Sequence, residues 1–158
     1  MILVFDTETT GLTLHPNAPL KKQPKIIEFG AVLLDPRTGS IEEEISIMVN
    51  PGEPLTDEII KITGITDADL IGAASFSEII PQLRRIFSAA TTVMAHNLPF
   101  DKAMMKNELI RADCLDFPWP TKELCTVGLY KEEWGRNPRL IELYEAVMRS
   151  EEHTSELQ

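Results

Sequence analysis

The chain has little of what several classes of protein need. Among its 158 residues there are two cysteines, Cys114 and Cys125, eleven positions apart with no second pair. This spacing fits neither a zinc site nor a disulfide framework. Basic residues are also few, since 15 Lys and Arg against 25 Asp and Glu give a net charge of −10. That balance argues against a protein that holds nucleic acid over a broad basic surface, but it is compatible with one that holds a short end through bound cations.

Long hydrophobic runs are absent as well. No stretch approaches the ~18 consecutive apolar residues of a membrane span. No basic and then apolar leader precedes the first predicted strand, so we expect a cytoplasmic protein with no membrane partner. The composition, 43% hydrophobic and 25% charged, is typical of globular proteins. The length suits one domain.

The last ten residues look foreign to the rest. Residues 149–158 read RSEEHTSELQ, which matches, codon by codon, the translation of a common sequencing-library adapter. We therefore expect one domain over residues 1–148 and a non-native tail over 149–158 that has no part in the fold. The tail holds one Arg and three Glu, so the preceding residues keep a net charge of −8.

The hydrophobic pattern predicts an α/β fold. Residues 2–5 form an apolar run that ends at Asp6 and is typical of a central strand buried on both faces. Residues 26–34 and 41–49, separated by turn residues, predict a hairpin. The remaining predicted elements are a short helix near 59–62, a helix over 76–87, a strand over 93–95, a helix over 98–112, a strand over 122–126 and a helix from 138. Together they predict a mixed five-stranded sheet flanked by helices.

Two carboxylates follow the first strand. Asp6 and Glu8 are two residues apart, so in an extended chain their side chains point to the same side, at the edge where open α/β sheets bind ligands. Two anions this close raise each other's pKa unless a cation lies between them. Oxygen ligands favour Mg²⁺ or Mn²⁺. Taken alone, the pair is better explained as a turn residue and a solvated acid.

A third acid strengthens the case for a metal site. Asp101 is in the first turn of a predicted helix, in line with the apolar residues Met105, Leu109 and Ala112 that follow at helical spacing. An unpaired buried Asp is costly, whereas one that faces a shared metal is not. If the two strands are neighbours, Asp101 should meet Asp6 and Glu8 in one pocket.

Several segments resemble motifs of the DEDD (DnaQ-like) 3′–5′ exonucleases, a family that includes the proofreading epsilon subunit of bacterial DNA polymerase III. Residues 5–12, FDTETTGL, are similar to the first motif of this family, and residues 96–101, HNLPFD, to the second. The strand PKIIEFGAVLL (24–34) and the loop TGIT (63–66) also resemble family segments. The resemblance runs through residues 1–148 in the family's order.

This resemblance implies a ribonuclease H-like fold and hydrolysis of phosphodiester bonds at a nucleic-acid 3′ end. By position, Asp6, Glu8 and Asp101 would be catalytic and would hold two divalent cations, Mg²⁺ or Mn²⁺, about 3.5–4 Å apart. The implied partners are a single-stranded 3′ end, DNA before RNA, and a DNA polymerase. The residues implied to position the terminal nucleotide are Thr7, Thr9, Leu12, Asn97 and Phe100. Core packing is the alternative for Leu12 and Phe100, and a helix N-cap for Asn97.

The third motif of the family is missing. It normally supplies a fourth acid, preceded by His five residues earlier or by Tyr four residues earlier, and this residue assists the attacking water. Here Tyr130 is followed at that distance by Trp134, and Tyr144 by Met148. The general base and the fourth acid are therefore absent from this chain. We expect a domain that is truncated before its last motif and impaired as an enzyme.

Two other classes of function remain to be distinguished. A strand ending in Asp-x-acid also resembles the haloacid-dehalogenase phosphatases, in which Asp6 would be the nucleophile and Glu8 an acid. That class needs a downstream Lys and a later acidic pair, and the sequence offers no convincing set. A fragment that binds nucleic-acid ends or metal without cleavage is the non-enzymatic alternative. Within the exonucleases, trimming of short RNA is the alternative to DNA proofreading.

Overall fold

The structure, a computed structural model, describes the backbone of residues 1–155 and the side chains of residues 1–148. Within this part of the chain, strands come first and then alternate with helices. In order, the elements are β1 (Ile2–Thr9), a 3-10 turn (Leu20–Lys22), β2 (Ile26–Leu34), β3 (Ile41–Met48), α1 (Asp57–Thr63), α2 (Phe76–Ser88), β4 (Thr92–Ala95), α3 (Leu98–Arg111), β5 (Lys122–Cys125), α4 (Thr126–Trp134) and α5 (Leu140–Ser155).

The strands form one mixed sheet in the order β3-β2-β1-β4-β5. The β2–β3 hairpin is antiparallel, and so is the pairing of β1 with β2. β1 pairs with β4, and β4 with β5, in parallel. This confirms the predicted sheet. Because parallel strands end at the same edge, the residues that follow β1 and β4 lie side by side.

One face of the sheet is covered by α2 and α3. The aromatic ring of Phe5 on β1 lies 5.6 Å from that of Phe87 on α2 and 5.8 Å from that of Phe29 on β2. The helix α3 adds Met104 and Met105, which are fully buried. The helix predicted over 76–87 is confirmed, and its buried residues are apolar side chains at helical spacing.

The opposite face of the sheet is more open. Val4 and Met94, which are register partners on β1 and β4, line a cavity of about 380 Å³ there. Thr126 at the start of α4 and Leu140 at the start of α5 line the same cavity. Both helices therefore begin on the face away from α2 and α3.

The structure differs from the expectation at α4, which was not predicted. None of its residues is buried, so the helix has no apolar stripe, and a stripe is the main signal of a helix in a sequence. The Gly128 within it lowers helix propensity further. Over residues 1–155, none of the helices is both long enough and apolar enough to cross a membrane.

The helix α5 runs through the boundary expected at Met148. Its backbone remains helical to Ser155, while residues 156–158 lie outside the described part of the chain. The non-native origin of 149–158 stays a prediction.

Candidate active site

Asp101 reaches the end of β1 from the first turn of α3. Its side chain is buried, with 1% of the residue exposed, and its Oδ1 accepts hydrogen bonds from the backbone N–H of Thr7 (3.1 Å) and from the Thr7 hydroxyl (2.8 Å). The pKa of Asp101 is raised to about 6 by burial and, to a smaller extent, by the negative charge of Asp6, although the hydrogen bonds from Thr7 act to lower it. Among the described side chains, Asp101 has no Lys, Arg or His within salt-bridge distance.

Thr7 therefore holds Asp101. Because successive side chains of a strand alternate between faces, Thr7 points into the face that α3 covers, and it is buried. Both of its donors are engaged by the Asp101 carboxylate. These two donors of Thr7 are therefore not free for the predicted contact with a nucleotide.

The side chains of Asp6 and Glu8 lie on the other face of β1, next to Glu28 of β2. Glu28 lies directly across from Glu8 on β2, and these three acids with Gly30 line a small open cavity of about 130 Å³. Burial raises the pKa of Asp6, and the charge of Glu28 adds to the rise. Burial also raises the pKa of Glu8, with further contributions from Asp6 and Glu28. The sequence reasoning missed Glu28, because its place beside Glu8 depends on the register of β1 and β2.

The chemistry of this donor set fits a hard divalent cation, since crowded carboxylates with raised pKa values are relieved by one. A ready-made ion site is not formed, however. No three His, Cys, Asp or Glu side chains in the described part converge closely enough to hold a metal ion. Asp6, Glu8 and Asp101 lie at the same end of β1, but the expectation that they meet in one pocket is wrong for this structure. Asp101 is bound to Thr7 on one side of the strand, whereas Asp6 and Glu8 line cavities on the opposite side.

His96 lies beside this acidic group. It follows β4 directly, its electrostatic interaction with Asp6 acts to lower the pKa of that carboxyl, and both residues line the larger cavity. Its Nδ1 makes a hydrogen bond of 2.8 Å with Oγ1 of Thr126, the first residue of α4. The unpredicted helix thus supplies the partner that orients His96.

Asn97 precedes α3 in a left-handed conformation, with φ 69° and ψ 47°, which Asn adopts more readily than most residues. It occupies the N-cap position, as the alternative foresaw, but its side chain makes no capping hydrogen bond. Its carbonyl accepts instead from the Phe100 N–H (2.9 Å). The Asn97 side chain is exposed, whereas Phe100 packs against the core. Packing is therefore supported for Phe100.

Beyond β1 the chain turns sharply. The hydroxyl of Thr9, which is buried, donates to the carbonyl of Gly11 (2.8 Å). Leu12 then projects into solvent with 80% of its surface exposed. Core packing, the alternative for Leu12, is wrong. An apolar side chain just beyond the end of β1 is therefore exposed and open to contact.

Comparison with known proteins defines the class. The family RNase_T, described as exonuclease, matches residues 3–155. The chain belongs to this family, and its domain is a DnaQ-like 3′–5′ exonuclease domain. The phosphatase alternative, in which Asp6 is a nucleophile, is thereby set aside.

Individual relatives agree with this class. A DNA polymerase III of the PolC type from Halalkalibacterium halodurans is 37% identical over 138 residues, which is 87% of this chain and 9% of that protein. The structure of exonuclease I in complex with the inhibitor BCBP shares the fold, with a TM-score of 0.68 and 19% identity, over 84% of this chain and 30% of that one. Exonuclease X in complex with 5′ overhanging duplex DNA does so as well, with a TM-score of 0.58 and 24% identity, over 85% and 64%. The chain spans less than a tenth of the length of these PolC-type relatives.

Proposed function

We propose that this domain hydrolyses phosphodiester bonds and so releases nucleotides from the 3′ end of a single DNA strand, with two divalent cations, Mg²⁺ or Mn²⁺. The observation that carries the proposal is Asp101. A buried carboxylate without a cationic partner costs stability, and perturbed acids of this kind are characteristic of functional sites. Here it lies at the strand end that also carries Asp6 and Glu8.

Each site residue has a role in this proposal. Asp6, Glu8 and Asp101 would hold the cations, whose chemistry there would be to activate a water and to stabilise the leaving 3′ oxygen. Without cations the acidic cluster repels a phosphodiester, so the same residues make nucleic-acid binding depend on metal. The turn after Thr9 presents Leu12 to the terminal nucleotide, and the exposed amide of Asn97 is available to it.

DNA is proposed as the substrate, and a polymerase as the partner. Support comes from the PolC-type DNA polymerase III relative and from the fold shared with exonuclease X, whose structure contains duplex DNA. The net charge of −10 is consistent with a small end-binding site and not with a wide nucleic-acid surface. RNA trimming is the second candidate within the class.

The chain as written is proposed to be a weak enzyme. The domain would comprise residues 1–148, the native chain would continue differently from 149 onward, and the missing segment would carry the fourth acid and the base. Loss of a general base typically lowers the rate by about 10²–10⁴-fold.

The test is single-nucleotide release from a 5′-labelled oligodeoxynucleotide, with Mn²⁺, with Mg²⁺ and with EDTA. We expect slow release that requires metal, a large gain when the native sequence past Met148 is restored, and complete loss in Asp6→Asn of the restored chain. Glu132→Gln, an exposed position on α4, is the matched control. Release that persists in EDTA, or in Asp6→Asn, would contradict the proposal.

The same assay separates the other candidates. Faster release from oligouridylate than from oligothymidylate would favour RNA trimming. Metal-dependent binding without release, even in the restored chain, would favour the non-catalytic fragment.

A further inference from the structure

The loop between β1 and β2, residues 10–25, is unusually long for a connection between paired strands. Its two ends are joined, because Thr10 donates its N–H to the Lys25 carbonyl (2.8 Å) and accepts from the Lys25 N–H at its hydroxyl (2.9 Å). Compact loops with close ends are frequently functional. This loop begins at the end of the strand that carries Asp6 and Glu8.

One side chain of α3 holds the second half of this loop. The guanidinium of Arg111 donates to three backbone carbonyls, those of Leu20 (2.9 Å), Gln23 (2.6 Å) and Pro24 (3.1 Å). Its side chain is only 18% exposed. A planar group with five N–H donors can satisfy several carbonyls at once, which an ammonium cannot do in the same geometry.

A second side chain, that of Gln23, connects the second half of the loop to the first half. Gln23 is buried, with 6% of the residue exposed. Its Nε2 donates to the His15 carbonyl (3.0 Å), and its Oε1 accepts from the Leu14 N–H (3.0 Å). The segment next to Leu12 is thus connected through Gln23 to Arg111.

Glu108 fixes Arg111 in turn. Its Oε1 lies 3.1 Å from the guanidinium of Arg111 and accepts the N–H of Ile26, the first residue of β2, at 2.9 Å. The pair is one turn apart on α3 and is largely buried. The loop, the start of β2 and the last turn of α3 are therefore one hydrogen-bonded unit.

We infer that Arg111 and Gln23 are positioning residues for the 3′ end of the substrate, an inference that rests on the proposed function. The helix α3 carries Asp101 in its first turn and Arg111 in its last, and a separation of ten residues corresponds to about 15 Å along a helix. The helix α3 thus fixes the positions of both the Asp101 carboxylate and the loop that exposes Leu12. Ordering the loop in advance removes an entropic cost from binding.

The test is binding of a 5′-fluorescein oligothymidylate, measured by anisotropy with Ca²⁺ in place of Mg²⁺ so that cleavage does not interfere. We expect Arg111→Met to weaken binding about tenfold and Leu12→Ala by a similar factor. Because Arg111 acts through the loop, the double variant should be no weaker than Leu12→Ala alone. If the double variant instead loses affinity by the product of the two single factors, Arg111 contacts DNA directly or acts only on stability. That result would overturn the inference.

Arg84→Met is the matched control, because this arginine also donates to a backbone carbonyl, that of Asp116 (3.0 Å), in a loop that the inference does not involve. It should bind like the wild-type chain. If Arg111→Met fails to fold by circular dichroism, Gln23→Met tests the same connection while the Arg111 bonds to backbone remain. Wild-type affinity in Gln23→Met overturns the inference. A double variant of Gln23→Met and Leu12→Ala that binds no more weakly than Leu12→Ala alone supports it. A wild-type chain that does not bind the oligonucleotide overturns the proposed function itself, and the inference with it.

Discussion

Replacing Asp101 with Asn should stabilise the metal-free domain at neutral pH. The pKa of Asp101 is raised from 3.8 to about 6, so the folded chain holds this proton more tightly than the unfolded chain. The stability that protonation supplies is complete below about pH 4 and is lost as the pH rises through about 6. The difference corresponds to about 3 kcal/mol. Asn carries no charge and keeps the oxygen that accepts both bonds from Thr7.

Thermal unfolding at pH 8 and at pH 4, both with EDTA, measures this effect. At pH 8 the melting temperature of Asp101→Asn should exceed that of the wild-type chain by roughly 5–10 °C, and at pH 4 the two should be close. Added Mg²⁺ should then raise the melting temperature of the wild-type chain more than that of the variant, since ligands stabilise the state that binds them. Glu132→Gln is the control for loss of an exposed carboxylate. A variant that is less stable than wild type by the same amount at both pH values would refute the reasoning.

Three further predictions concern the core, the acidic face and the surface. Phe87→Ala should lower the free energy of unfolding in urea by about 3–5 kcal/mol, because Phe87 is fully buried; a loss below 1 kcal/mol would contradict its place in the core. Glu28→Gln should lower the pKa of Glu8, since the charge of Glu28 helps to raise it; carboxyl-carbon NMR in EDTA measures this, and an unchanged value would mean that the two side chains are apart. Arg85→Ala should leave the urea midpoint almost unchanged, because its ion pair with Glu43 is on the surface and such pairs contribute little.

Much of the fold could be predicted because the strands and most helices bury an apolar face. The apolar run after Met1 and the alternation in 41–49 are signals that arise from this burial. The same reasoning fails for α4, which buries none of its residues. It also underestimated β1, which continues to Thr9, because the polar residues at its end belong to the site and not to the core.

The sequence predicted which acids belong to the candidate site better than it predicted which residues contact each other there. Asp6, Glu8 and Asp101 were selected from local spacing and motif resemblance, and the structure places all three at one end of β1. That Thr7 engages Asp101 could not be foreseen, since it depends on the packing of α3 against β1. Glu28 required the strand register, and Arg111 required a contact across 87 residues of sequence.

The sequence by itself determined the class of this protein, the order of most of its elements and the acids of its candidate site, because motifs and hydrophobic periodicity are properties of neighbours along the chain. Only the tertiary structure decided which groups meet. It turned Asp101 towards Thr7, set Glu28 across from Glu8, and tied the β1–β2 loop to the last turn of α3. Burial and hydrogen bonding between distant segments decide these contacts, and they exist only once the sheet and its helices have packed.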